Sequence, residues 1–179
     1  VFSAGGAPLS KEIEEFFFST GLLVCQGYGL TETAPMLTCN APGDFKFGTV
    51  GKPIIGVEIK IAADGEILAR GPNLMQGYYG MPEATAEAIV DGWFHTGDIG
   101  SFDEDGFLRI TDRKKDLIIT SGGKNIAPSR IESIIGGDYY IDQIAAVGEG
   151  RNYISALIVP QFEALEEWAK EHGVSTESL

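Results

Sequence analysis

Short apolar runs broken by glycine dominate the hydrophobic pattern of this chain. Val1 to Ala4 reads as the end of a buried strand, and Gly5-Gly6-Ala7-Pro8 then forces a turn. Ser10 is placed to N-cap a helix in which Ile13, Phe16 and Phe17 share one face, with Gly21 ending it. Leu22 to Cys25 follows as a second short apolar strand. A strand, helix, strand opening argues for the edge of an α/β sheet, a layout whose ligands gather at loops beyond strand ends.

From Gly48 the period changes. Val57, Ile59 and Ile61 alternate with polar residues, and Asp64-Gly65 signals a hairpin before a strand from Ile67 to Ala69. Pro82 opens a short helix reaching Ile89. Trp93-Phe94, Ile99 to Phe102 and Phe107 to Ile110 read as further short strands, turned at Asp91-Gly92 and Asp105-Gly106. Repeated short strands between glycine turns predict a small barrel-like β subdomain. After Arg113 the pattern changes again. A strand (Leu117 to Thr120), a Gly122-Gly123 turn and a helix from Pro128 with Ile131, Ile134 and Ile135 inward come first. Strands at Ile144 to Val147 and Tyr153 to Val159 follow, then a helix from Phe162 to His172 with Leu165 and Trp168 on its apolar face. The expected organisation is an α/β piece over 1–47 and a β subdomain over 48–113, with a small, truncated α+β domain over 114–179. The charged run at 112–116 joins the last two.

Composition narrows the function classes. Thirteen basic against 26 acidic side chains give a net charge of −13, which repels nucleic acid and anionic membrane surfaces. No apolar run approaches the about 20 residues of a bilayer span. The first residues carry no basic segment followed by an apolar one, so no signal peptide is visible. A chain that lacks an initiator Met and opens in a strand-like run reads as an excised piece of a longer protein. Cys25 and Cys39 form neither a disulfide framework nor a metal site and fit a reduced cytoplasmic compartment, read as small buried hydrophobes. Against the acidic background, six of the 13 basic residues lie between Arg109 and Arg130, with only Asp112 and Asp116 opposing them. That local positive field suits a small anionic ligand, although a salt-bridged surface is the commoner origin of such a run.

The segment Gln26-Gly27-Tyr28-Gly29-Leu30-Thr31-Glu32-Thr33, taken as a loop after a strand, combines glycines that allow close backbone approach, a flat ring, a hydroxyl and a carboxylate suited to Mg²⁺. An ordinary glycine loop with a helix cap at Thr31 explains the same residues, and composition alone leaves both open. Asp98 as a turn cap, Tyr28 as plain core and Lys114 or Lys115 as solvated charges are the corresponding bland alternatives. His95 reads as structural and His172 as a helix-end surface residue, and no Cys/His cluster supports zinc.

Four segments in order nevertheless resemble the adenylate-forming acyl-CoA synthetases, in particular their long-chain fatty-acid ligase branch, over essentially the whole chain. They are Ser3 to Leu9, Gly27 to Thr33, Asp91 to Asp98, and Asp112 to Asp116 continuing through Ser121 to Asn125. The resemblance implies ATP-dependent activation of a fatty acid to acyl-AMP and then acyl-CoA, with ATP/AMP, Mg²⁺ and CoA as the small molecules bound. It implies that Gly6, Ala7 and Pro8 line an adenine pocket and that Tyr28 stacks on the ring. Thr31 would bond the α-phosphate, Glu32 would hold Mg²⁺, and Asp98 with Arg113 would take the ribose. Lys115 matches the hinge about which the small domain swings; Gly122 and Gly123 would pass the pantetheine arm of CoA, with Lys124 near phosphate. The family's phosphate loop and its late small-domain lysine are not found in this sequence, so the chain alone is expected to fold at least in part without turning over. An aryl-CoA ligase, a carrier-protein loading domain or a non-catalytic nucleotide-binding module are the alternatives. Fatty substrates leave peripheral membrane contact open, though no amphipathic basic helix is evident.

Overall fold

The computed structural model describes residues 1–175. It divides into two compact units, Val1–Lys114 and a second beginning at Lys115. The first unit starts with β1 (Phe2–Ala4), α1 (Lys11–Ser19), β2 (Val24–Gly29), β3 (Met36–Cys39) and β4 (Lys52–Pro53). These strands form one sheet in the order β1-β2-β3-β4. β1 runs parallel to β2, with Ala4 opposite Gln26, so the loops after both strands leave from the same end of the sheet.

Helix α1 forms for the reason its sequence suggests: the Ser10 hydroxyl accepts from the Ile13 amide at 3.4 Å and caps the first turn. Its packing differs from the expectation. Ile13, Phe16 and Phe17 are 45%, 62% and 36% exposed, whereas Glu14 is buried. The Glu14 carboxylate accepts the Gly48 amide at 2.6 Å, so the helix turns this face inward to satisfy a loop donor. β1 is likewise an exposed edge strand within this chain rather than a buried one, with Phe2 58% exposed. Cys25 is buried as expected, and burial pushes its thiol pKa up, while Cys39 is only half-buried.

The rest of the unit comprises β5 (Glu58–Ile61), β6 (Glu66–Arg70), α2 (Pro82–Ala88), β7 (Ile89–Val90), β8 (Trp93–Phe102) and β9 (Leu108–Arg113). They make an antiparallel sheet in which β5, β6, β8 and β7 are successive neighbours and β9 also pairs with β8. The strands expected separately at Trp93-Phe94 and Ile99 to Phe102 are one ten-residue strand, β8, because its two halves find different partners, β7 and β9, on the same edge. The Val50 amide donates to the Leu108 carbonyl at 2.9 Å and the Leu108 amide donates to the Gly51 carbonyl at 2.8 Å, and these bonds tie β9 back to the first sheet. Tyr28, Leu37, Val57, Ile67, Ala69 and Leu108, drawn from both sheets, form the shared core.

A single 3₁₀ turn, Lys114–Asp116, spans the boundary. The second unit contains β10 (Ile118–Ile119), β11 (Asn125–Ile126), α3 (Pro128–Ile135), β12 (Ile141–Val147), β13 (Ser155–Pro160) and α4 (Phe162–His172). Two antiparallel ribbons result, β10 with β11 and β12 with β13. On α3, Ile131 and Ile135 are half-buried but Ile134 is 73% exposed, correcting the expected inward set. On α4 the buried residues are Ala164 and Ala169, while Trp168 is 41% exposed and stacks on His172 with centroids 4.2 Å apart. The close approach is made by the small residues, and the indole covers the helix surface instead. Among the described residues no helix is long and apolar enough to cross a membrane.

Candidate nucleotide site

The glycine-rich run expected as a loop is itself strand β2 as far as Gly29. Its glycines answer to a neighbouring strand. A Cβ on Gly29 would stand 1.6 Å from the Pro35 carbonyl oxygen, so the backbone entering β3 passes where a side chain would be. This pairing holds Tyr28 in place opposite Thr38.

Tyr28 is buried at 8% exposure with its ring in the core. Its hydroxyl donates to Asp98 Oδ2 at 2.6 Å. Burial, and next the bond to the Asp98 carboxylate, hold the phenol well above its ordinary pKa of 10.0, so it stays a donor at neutral pH. In this position the Tyr28 hydroxyl occupies one oxygen of Asp98. On the other side, Arg113 Nε donates to Asp98 Oδ1 at 3.0 Å, and the two residues face each other across β8 and β9. Thr96 completes the support, accepting the Asp98 amide at 3.1 Å while donating to the Ile67 carbonyl at 2.8 Å. Sequence separations of 70 and 15 residues are thereby closed into one constellation, Tyr28-Asp98-Arg113.

Thr31 and Glu32 lie just beyond the end of β2, in a 3₁₀ turn spanning Thr31–Thr33. The turn is tied by Thr33, whose Oγ1 accepts the Leu30 amide at 2.9 Å and donates to the Pro35 carbonyl at 2.6 Å. The capping duty weighed for Thr31 therefore belongs to Thr33. Thr31 is exposed and Glu32 half-buried. Glu32 Oε1 accepts from the Tyr78 hydroxyl at 3.0 Å, and a shallow depression of about 480 Å³ lined by Tyr78, Pro82, Thr85 and Ile89 opens beside that tyrosine. Burial, then the bond to Glu32, raise the Tyr78 pKa. Gly6, Ala7 and Pro8 are exposed in the loop after β1, which leaves from the same sheet end as β2.

The remaining expected residues belong to the second unit. Gly122, Gly123 and Lys124 form the β10–β11 turn, closed by the Gly123 amide on the Thr120 carbonyl at 2.8 Å, and all three are exposed. Lys115 is exposed at the start of the unit. The positive field expected around Arg109 to Arg130 is partly neutralised in the first unit. Arg109 lies 3.9 Å from Asp103, Arg113 bonds Asp98, and Lys114 lies 2.7 Å from Asp64 and 2.9 Å from Glu66. No group of three or more His, Cys, Asp or Glu fit for a metal occurs among the described residues. A single carboxylate such as Glu32 is compatible with Mg²⁺ only in the mode in which phosphates and water supply most ligands.

Two partners escaped the sequence reading. Tyr78 gave no signal beyond a Tyr-Tyr pair in a loop. Glu66 gave one: an acidic residue opening the apolar run Ile67-Leu68-Ala69 is buried along with it, at 4% exposure. It reaches both His95, at 3.1 Å, and Lys114.

Comparison with known proteins matches residues 1–79 to the AMP-binding enzyme model and residues 115–176 to the AMP-binding enzyme C-terminal domain model. The long-chain-fatty-acid–CoA ligase FadD15 of Mycobacterium bovis is 46% identical over 95% of this chain and 28% of its own length. A 2-succinylbenzoate–CoA ligase of Listeria innocua is 45% identical over 81% of the chain and 31% of its own length. Among solved structures, O-succinylbenzoate coenzyme A synthetase of Bacillus subtilis with ATP and magnesium ion aligns at TM-score 0.78 and 33% identity, covering 94% of this chain and 39% of that one. ATP-bound MatB of Rhodopseudomonas palustris aligns at TM-score 0.79 and 33% identity, over 98% and 39%. The chain thus spans about a third of the length of the relatives it matches.

Proposed function

This chain belongs to the AMP-binding enzyme family, and from that membership we infer that it is the nucleotide-holding part of an adenylate-forming acid–CoA ligase. The observation that carries the inference is the Tyr28-Asp98-Arg113 constellation. A carboxylate offers about four lone-pair sites, and Tyr28 and Arg113 occupy one on each oxygen. Each oxygen retains a site for one ribose hydroxyl, and the two protein donors fix the carboxylate plane before a nucleotide arrives.

In the reaction, a carboxylate oxygen of the acid attacks the α-phosphorus of ATP and the bond to pyrophosphate breaks. The thiolate of CoA then attacks the acyl carbon of the mixed anhydride, and AMP leaves with the bonding pair. Thr31 is assigned to the α-phosphate and Glu32 to Mg²⁺, where the ion would offset charge building on the phosphate oxygens. Gly6, Ala7 and Pro8 are assigned to the adenine side. In the second unit Lys115 is assigned as hinge, with Gly122, Gly123 and Lys124 on the CoA and phosphate side.

The acid is assigned as a long-chain fatty acid, a reading supported by the 46% identity to a ligase of that substrate. The 45% identity to a 2-succinylbenzoate ligase favours an aryl acid as the second reading. Pyrophosphate release and thioester formation, measured separately with fatty acids of graded length and with an aryl acid on the natural polypeptide carrying this chain, decide between them. Preferential turnover of the aryl acid overturns the long-chain assignment. For the site itself, Asp98→Asn is expected to weaken AMP binding at least tenfold, about 1.4 kcal/mol, by calorimetry. Affinity within twofold of the unaltered chain overturns the ribose assignment.

A further inference from the structure

Glu66 opens β6, and its side chain is 5% exposed. One of its oxygens, Oε1, accepts the Gly97 amide at 3.0 Å. The other, Oε2, receives Lys114 Nζ at 2.9 Å and stands 3.1 Å from His95 Nδ1. Gly97 immediately precedes Asp98, and Lys114 immediately follows Arg113. A single buried carboxylate therefore grips the residue on the outer side of each member of the Asp98-Arg113 pair, one on β8 and the other just past β9.

The backbone explains why such a grip is needed. β6 and β8 slip register between Glu66, which pairs with Ile99, and Leu68, which pairs with His95, so the regular ladder is interrupted around Gly97. Gly97 sits at φ +71, in the left-handed region that glycine adopts without strain. An irregular strand segment of this kind re-aims the next side chain, here Asp98, and leaves an amide for some acceptor other than the ladder. Glu66 is that acceptor. Lys114 is held a second time by Asp64 Oδ2 at 2.7 Å, so the end of β9 is fixed from the same hairpin.

We propose that Glu66 is a positioning residue for ribose recognition: it sets the aim of Asp98 and Arg113 by holding Gly97 and Lys114, without itself touching nucleotide. The proposal rests on the ribose assignment above. It assigns work to a buried acid that would otherwise be a costly way to fill a strand position.

The test compares AMP with its 2′,3′-dideoxy analogue, each titrated into the chain and followed through backbone amide NMR shifts. Glu66→Ala is expected to weaken AMP at least tenfold while the dideoxy analogue changes less than twofold, so that preference for ribose hydroxyls collapses. Glu66→Gln, which keeps an acceptor for Gly97, is expected to restore part of that preference. A purely structural role would weaken both nucleotides in parallel, and that result, or no change in either, overturns the proposal. If Glu66→Ala does not fold, the same ratio is read from Glu66→Gln and Lys114→Met, and an unchanged preference in both overturns it. Asp98→Asn separates the two levels. Loss of preference there with retention in Glu66→Ala sinks the positioning role alone. An unaltered chain without preference, or Asp98→Asn that keeps it, sinks the ribose assignment and the proposal together.

Discussion

Gly29 is confined to glycine by contact. Its hypothetical Cβ would overlap the Pro35 carbonyl at 1.6 Å, and that atom is backbone joined directly to Met36, which pairs with Gly29, so it cannot step aside without disturbing the start of the β2–β3 pairing. Gly29→Ala is therefore expected to destabilise the first unit by more than about 3 kcal/mol, beyond ordinary overpacking, read from the urea midpoint. The same displacement would shift Tyr28, so AMP affinity should fall with it. The sequence made a glycine run visible, but its ligand reading and its packing reading look alike in one dimension. What separates them is the partner strand, which no local pattern names. Asp98 was legible for the opposite reason: it was located through an ordered motif, Asp91 to Asp98. Its two partners lie 70 and 15 residues away, and only folding reveals that both reach it.

At the scale of elements, the β6 to β9 region carries a pH-dependent tie. The bond from Lys114 and then the Glu66 amide hold Asp64 below its ordinary 3.8. Burial works to raise Glu66, but the bonds from Lys114, His95 and the Gly97 amide outweigh it and keep the carboxyl below 4.5. Both acids bind protons less tightly folded than unfolded. Their contribution is complete above those ordinary values and is lost as pH falls through the lower folded ones. Lys114 is raised above 10.5 by Asp64 and then Glu66, so its share is complete below that value and lost as pH rises beyond it. Melting temperatures taken from pH 7 down to 3 should show an acid loss that shrinks in Lys114→Met; an identical loss in both would disprove the tie. Helix α1 teaches a related point. Periodicity grouped Ile13, Phe16 and Phe17 correctly, yet what the rest of the unit receives is Glu14, because a donor at Gly48 required an acceptor. Amphipathic spacing identifies faces, and satisfying polar backbone decides which one is used.

For the whole molecule, the two units differ sharply in core. Among the described residues only Ile118, Ala164 and Ala169 are buried hydrophobics in the second unit, against ten in the first, from Cys25 to Leu108. A unit of about 60 residues also removes a smaller fraction of its surface from water on folding. Calorimetry is expected to resolve two transitions, with the second unit melting first, and one concerted transition would contradict this. The sequence by itself determined helices α1 to α4, the turns at Asp64-Gly65 and Asp105-Gly106 and the change of pattern near Arg113, because period, capping and turn chemistry are properties of neighbouring residues, whereas the short strands β3, β4, β7 and β11 carried no such signal. Only the tertiary structure decided that β8 is one strand with two partners, that the Tyr28 hydroxyl donates to Asp98, and that Glu66 holds Gly97 and Lys114 beside the Asp98-Arg113 pair. Those facts depend on which distant backbone groups meet in a water-poor interior, where every donor needs an acceptor and local spacing carries no record of the match.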